Sequence, residues 1–302
     1  MTTIVHTLNN EVRRQFPAWL PLLTLPLATA WLTVASPAWL QLWSLAFAIY
    51  AGFKWLTFAL SPAASHASFA SSAGYLFLWT GMDADAFFSP DKQPSTPRWS
   101  EWGWSIAQMI FGSWLLLGLA PRFIESHPLI AAWLAMTGLV SVLHFGLSQL
   151  LSLAWRSRGV NARHIMHKPV YATSLADFWS HRWNLAFRDL MHKFVFQPLV
   201  QNIGVAWATM AVFLVSGLIH DAVISLAARG GWGLPTLYFL IQGLAVLVQR
   251  SRAGKRLGLG RGILGWLFAV IIVVAPAGLL FHPPFLRAVV VPMLQKIQAA
   301  MP

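Results

Sequence analysis

Apolar residues in this chain fall in long blocks separated by short polar connections. They show neither the alternation of a half-buried strand nor the one-sided period of a soluble helix. A helix needs about 20 apolar residues to cross a hydrocarbon core of about 30 Å. Backbone amides in lipid must be satisfied within the segment, so such blocks read as helices. Residues 19–35, 38–60, 103–120, 129–155, 203–227, 234–248 and 263–280 qualify. Residues 69–80 form a shorter block rich in Ser, Ala and Gly, which predicts a segment that only half-enters the membrane. The predicted fold class is an all-α integral membrane protein of roughly seven to nine transmembrane helices. It reads as a single polytopic membrane domain over 1–302, with no internal repeat, and with a re-entrant or interfacial helix around 174–193.

Pro and Gly punctuate most boundaries, among them Pro37, Pro62, Pro121, Pro128, the Gly230-Gly231 pair and the Pro283-Pro284 pair. The stretch 82–100 is polar and carries Asp83, Asp85 and Asp91. The longest polar connection, 156–193, holds Arg156, Arg158, Arg163, Lys168, Arg182, Arg188 and Lys193; a second basic connection covers 250–261. The positive-inside rule puts both on the cytoplasmic side, and the two intervening spans agree in parity. The Arg13-Arg14 pair points to a cytoplasmic N-terminus, and the apolar block after it, without a small-residue cleavage site, to a retained first helix.

Composition strengthens the membrane reading. Hydrophobic residues make up 57% of the chain and charged residues 10%, whereas a soluble domain carries about 25% charged residues to cover its surface. Mean hydropathy is +0.60. The 17 Trp fit the water–lipid boundary. The net charge of +12 would suggest nucleic acid in a soluble protein, but here the basic residues lie between apolar blocks. Cytoplasmic loops, anionic headgroups or a phosphate-bearing substrate account for them. The absence of Cys excludes disulfides, thiolate metal sites and a Cys nucleophile.

Ionisable side chains inside apolar blocks are costly and tend to be functional. Lys54, His144 and the His220-Asp221 pair are the candidates. His220 follows Ser216 by one turn, and a neutral imidazole can take up a proton near neutral pH. It reads either as a general base in a buried cavity or as a His bonded to a neighbouring helix, with Asp221 at the wet end. His144, between Ser141 and Ser148 on one helical face, reads as interhelical glue. Lys54, beside Trp55, reads as snorkelling to the interface. If 174–193 is one helix, Asp177, His181, Asn184, Arg188 and His192 share a face. That face is either a functional surface or the solvated side of an interfacial helix. Basic side chains of this connection, Arg182 and Arg188 among them, suit the phosphates of acyl-CoA. No His, Asp or Glu cluster has metal-ligand spacing, and no phosphate-binding glycine loop is present.

Three segments resemble the membrane-bound O-acyltransferase (MBOAT) superfamily, in particular its wax synthase-like branch. SLADFWSHRWN (174–184) is similar to an S-x-x-D-F-W-x-x-R-W-N signature, and SGLIHD (216–221) to the later segment ending on the family's His. YLFLWTGMDADAFF (75–88) is a looser match, with Thr80 where Pro is usual. The resemblance covers about half the chain, an MBOAT-like core over 69–249. It implies an acyl-CoA-dependent O-acyltransferase, with acyl-CoA as co-substrate and no bound cofactor or metal. The catalytic His corresponds to His220 and the motif Asn to Asn184. Asp177, Phe178, Trp179 and Trp183 correspond to residues shaping the acyl-CoA site, and His181 stands at a variable position. The chain is short for the superfamily, which implies fewer peripheral helices. A lipophilic alcohol is the expected acceptor. The alternatives are O-acetylation of a glycan, glycolipid or small-molecule hydroxyl and, in another class, a proton-coupled transporter with His220 as relay. The expected location is the inner membrane of a bacterium or the endoplasmic reticulum of a eukaryote. The partners are the bilayer and the two substrates, without nucleic acid, and the oligomeric state is unknown.

Overall fold

The computed structural model describes residues 2–89 and 94–300, with side chains from residue 17 onward. The side chains of Arg13, Arg14 and Asp91 lie outside the described residues. The described chain is built from helices, as the apolar blocks require. In order they are α1 (Thr2–Leu32), α2 (Ala38–Ala59), α3 (Phe69–Leu78), α4 (Ala84–Phe88), α5 (Trp99–Phe123) and α6 (Pro128–Arg156). There follow α7 (175–182), α8 (Leu185–Ala228), α9 (Leu234–Arg250), α10 (Arg252–Arg256), α11 (Gly262–Leu280) and α12 (283–300). Among the described residues, five of these (α2, α5, α6, α8 and α11) are long and apolar enough to cross a membrane, and the apolar α3 and α9 are shorter. The protein is an all-α integral membrane protein.

At 44 residues α8 would be about 66 Å long, twice what one crossing needs. Gly204, at φ 75° and ψ 169°, breaks it and leaves 205–228 as the crossing segment. Neighbouring helices meet through small residues. On α5 a Cβ at Gly112 would come within 2.6 Å of the Gly138 carbonyl oxygen on α6, so only glycine permits this crossing.

α12 lies outside the apolar blocks that the sequence displays. Its buried residues, Phe285, Leu286, Val289, Val290, Met293 and Leu294, pack on Ala131, Ala132 and Ala135 of α6 and on Ile224 and Ala227 of α8. Their spacing is that of a one-sided helix. Arg287 and Lys296 take the exposed side.

α3 is 10 residues long, about 15 Å. Beyond it the chain leaves the helix, and side chains take up the freed carbonyls. Trp155 Nε1 donates to Leu78 O at 2.9 Å, Tyr50 Oη to Trp79 O at 2.9 Å, and Lys54 Nζ to Gly81 O. Lys54 therefore does not snorkel. It is 1% exposed, and its Nζ lies 3.5 Å from the centroid of the Tyr75 ring. Irregular backbone beside apolar helices needs donors, and Lys54 supplies one.

Candidate active site

The segment 174–196 is not one helix. Ser174 Oγ caps α7 by accepting from Asp177 N at 2.9 Å. The chain then turns extended at Trp183 (φ −102°, ψ 126°) and left-handed at Asn184 (φ 41°, ψ 61°) before α8 starts. Asn is among the few residues other than glycine that tolerate this conformation. Its Oδ1 accepts from Phe187 N at 3.2 Å, so it caps α8. The break is supported from outside. Arg182 O accepts from His167 N and Leu185 N donates to Ile165 O, each at 2.8 Å.

α9 holds the pieces in place. Gln249 Oε1 accepts from Leu175 N at 3.0 Å, at the start of α7. The fully buried Gln242 accepts from Trp179 Nε1 at 3.3 Å and donates to Ile272 O at 2.7 Å. Between these glutamines and the start of α9, Phe239 lies 5.8 Å from Trp179 and 4.5 Å from His220, centroid to centroid. The residues linking the motif to the His are thus two buried amides and a ring on a third helix.

The result is a cavity of about 420 Å³ between α7, α8 and α9, within the usual range of ligand sites. His220, Asn184, Trp179, Trp183, His181, Arg188 and His192 all line it. Phe187, Phe213, Phe239, Val212 and Val246 form its apolar wall. His220 Nδ1 donates to Ser216 O at 2.7 Å, since a carbonyl can only accept. In the neutral ring Nε2 is then the unprotonated nitrogen, as a general base requires. Asn184 Oδ1 is committed to its cap, which leaves Nδ2 as the donor of this amide. Among the described residues Nδ2 has no hydrogen-bond partner in the protein.

Three of the expected acyl-CoA-site residues, Asp177, Phe178 and Arg182, do not line the cavity. Asp177 pairs with Arg182 at 2.5 Å and lies 3.5 Å from His181, and Phe178 stacks on Trp183 at 5.5 Å. They fix the turn that places Trp179 and Trp183. Trp183 also stacks on His144 at 6.3 Å, while Ser148 donates to the carbonyl of His144 on its own helix. His144 therefore acts by stacking and not through the expected hydrogen-bonded stripe.

Several basic side chains of 156–193 are matched to acids. Arg156 bonds Glu101 at 2.8 Å and Ser95 O at 3.0 Å, Arg163 pairs with Asp83, and Arg188 pairs with Asp189 at 2.8 Å. Arg250, at the end of α9, also lines the cavity. The sequence offered it only as one of a run of loop charges. Asp221 does not mark a wet end: it is 8% exposed, with both oxygens bonded. Among the described residues no group of three or more His, Asp or Glu side chains is placed to hold a metal ion.

Residues 162–241, which contain both motifs, match the membrane bound O-acyl transferase family. The chain is 30% identical over 215 residues to the probable long-chain-alcohol O-fatty-acyltransferase 9 of Arabidopsis thaliana, covering 66% of this chain and 62% of that protein. It is 33% identical over 135 residues to the long-chain-alcohol O-fatty-acyltransferase of Simmondsia chinensis, covering 40% of this chain and 38% of that one. With acyl-CoA--sterol O-acyltransferase 1 of Arabidopsis thaliana it shares 33% identity over 92 residues, covering 28% of this chain and 26% of that protein. The chain spans 62% or less of the length of these curated relatives. The resemblance seen in the motifs is therefore to the membrane bound O-acyl transferase family and its wax synthase-like branch.

Proposed function

We propose that this protein moves an acyl group from acyl-CoA to the hydroxyl of a lipophilic alcohol and releases an ester. One observation carries this reading. An imidazole with its Nδ1 fixed to a carbonyl and an amide with an uncommitted Nδ2, far apart in sequence, line one largely apolar cavity. The similarity to proteins named as long-chain-alcohol and sterol O-acyltransferases favours an apolar acceptor.

His220 Nε2 takes the proton of the acceptor hydroxyl as its oxygen attacks the thioester carbonyl. The C=O pair moves onto oxygen, and Asn184 Nδ2 donates to that oxyanion. The tetrahedral centre collapses, the C–S bond breaks, and the imidazolium returns its proton to the sulfur of coenzyme A. The cationic part of the lining, with Arg188 and Arg250, suits the anionic end of the donor. The apolar wall suits the acyl chain and the alcohol. The host membrane is the inner membrane in a bacterium or the endoplasmic reticulum in a eukaryote.

The test uses purified protein in detergent, labelled acyl-CoA and long-chain alcohols. Ester formation with stoichiometric thiol release is expected. In His220→Ala, eluting as the wild type does, the rate falls by at least about 10². Wild-type turnover in that variant refutes the assignment.

A further inference from the structure

Asp221 follows His220 directly, and an acid inside an apolar helix costs too much to be incidental. Its carboxylate accepts four hydrogen bonds. Oδ1 takes Ser225 Oγ at 2.7 Å and Gly233 N at 3.0 Å; Oδ2 takes Thr236 N at 3.1 Å and the Thr236 hydroxyl. Gly233 and Thr236 start α9, the helix whose Phe239 rests on the imidazole. On the other side of His220, one turn earlier, the same two helices touch. A Cβ on Gly217 would come within 2.6 Å of the Cα of Thr236. Thr236 is thus held by Gly217 below the imidazole and by Asp221 above it.

The network continues to the C-terminal helix. His282, fully buried, accepts at Nδ1 from Phe285 N at 3.1 Å. Its Nε2–H therefore faces Ser225 Oγ at 3.4 Å, and the Ser225 hydroxyl in turn donates its hydrogen bond to Asp221 Oδ1.

We propose that Asp221 is a positioning residue. It clamps the turn carrying His220 to the start of α9, so that the imidazole is presented to the cavity at a fixed height beside Phe239. Ser225 and His282 extend the clamp to α12. A capping role alone would not need a charged group bonded to both α8 and the start of α9, and through Ser225 to His282, next to the proposed base. This inference rests on the reading of His220 as that base, and its test has a readout independent of turnover.

Diethyl pyrocarbonate acylates accessible neutral imidazoles, and peptide mass spectrometry gives the rate at each His. The full chain is compared as wild type, D221N, Thr236→Val and Thr236→Ser. Thr236→Val keeps shape and removes one donor; Thr236→Ser restores it. In Thr236→Val the modification of His220 slows by about fivefold, the equivalent of one neutral hydrogen bond. In D221N it slows further, and in Thr236→Ser it matches wild type. The exposed His181 and His192 react at wild-type rates throughout. In the acyl-transfer assay kcat falls in parallel, while the KM for acyl-CoA stays within about twofold. Should D221N not fold, the Thr236 pair decides. Wild-type modification of His220 in folded Thr236→Val overturns the proposal. If the wild type transfers no acyl group, the functional reading fails and the modification rates still settle the clamp.

Discussion

Replacing Asn184 separates two jobs that one side chain performs. It caps α8 through Oδ1 while holding a left-handed backbone, and its Nδ2 is assigned to the oxyanion. Asn184→Ala loses the cap, worth about 1 kcal/mol, and with it the short polar side chain that offsets the strain of about 1–2 kcal/mol of a left-handed residue bearing a Cβ. Asn184→Gly loses only a few tenths of a kcal/mol as a cap and accepts the left-handed backbone freely. The glycine variant should therefore melt close to wild type and the alanine variant well below it. Turnover should not follow stability. Both variants lack the amide donor, whose loss costs about 10²–10³ in kcat, or about 2.7–4 kcal/mol. Asn184→Asp keeps the acceptor and the tolerance of φ 41° but replaces the donor by an oxygen, and should be equally slow. The assay is kcat for ester formation, normalised to monodisperse protein, beside a melting curve for each variant. A glycine variant that keeps more than about a tenth of wild-type kcat refutes the oxyanion role, because the expected loss is at least tenfold greater. Asn184 would then be only the residue that ends one helix and starts the next.

Two predictions concern stability. Lys54→Met, similar in length, leaves the Gly81 carbonyl without its donor and should cost about 1–3 kcal/mol, read as a lower melting temperature in detergent; an unchanged or higher value would show that the buried amine is dispensable. The pH dependence has a definite sign. Burial holds the imidazole of His282 below its ordinary value of 6.5, with Asp221 partly opposing. Burial acts in the same direction on His164, reinforced by Arg156 and His167. A His held low in the folded state contributes stability in full above about pH 6.5 and loses it as the pH falls further. Melting temperature should drop from pH 7 to pH 5, and less steeply in His282→Asn, which keeps an acceptor for Phe285 N. Equal slopes in the two proteins would remove His282 from the account.

The parts of the fold that the sequence displays are those where lipid leaves no choice. A block such as 38–60 must be a helix because unpaired amides are not tolerated there, and α2 covers it within a residue. The parts it hides are those where packing decides. α12 reads as an amphipathic stretch with Arg287, Pro292 and Lys296, and only the small residues of α6 opposite Val289 and Val290 explain why it is buried. The break at Asn184 is hidden for the same reason. Helical spacing placed Asp177, His181, Asn184 and Arg188 on one face, whereas the backbone partners that permit the break come from 165–167. Asp177 turns to Arg182, and Trp183, off that face, enters the lining. The motifs supply the residues to which the chemistry is here assigned, and α9 holds them in place. Gln242 and Gln249 hold the first motif, Phe239 rests on the imidazole of the second, and Gly233 and Thr236 bond the acid beside it. In a hydropathy profile α9 is one more apolar helix. In the folded chain it is the element through which His220 and the break at Asn184 come to face the same cavity.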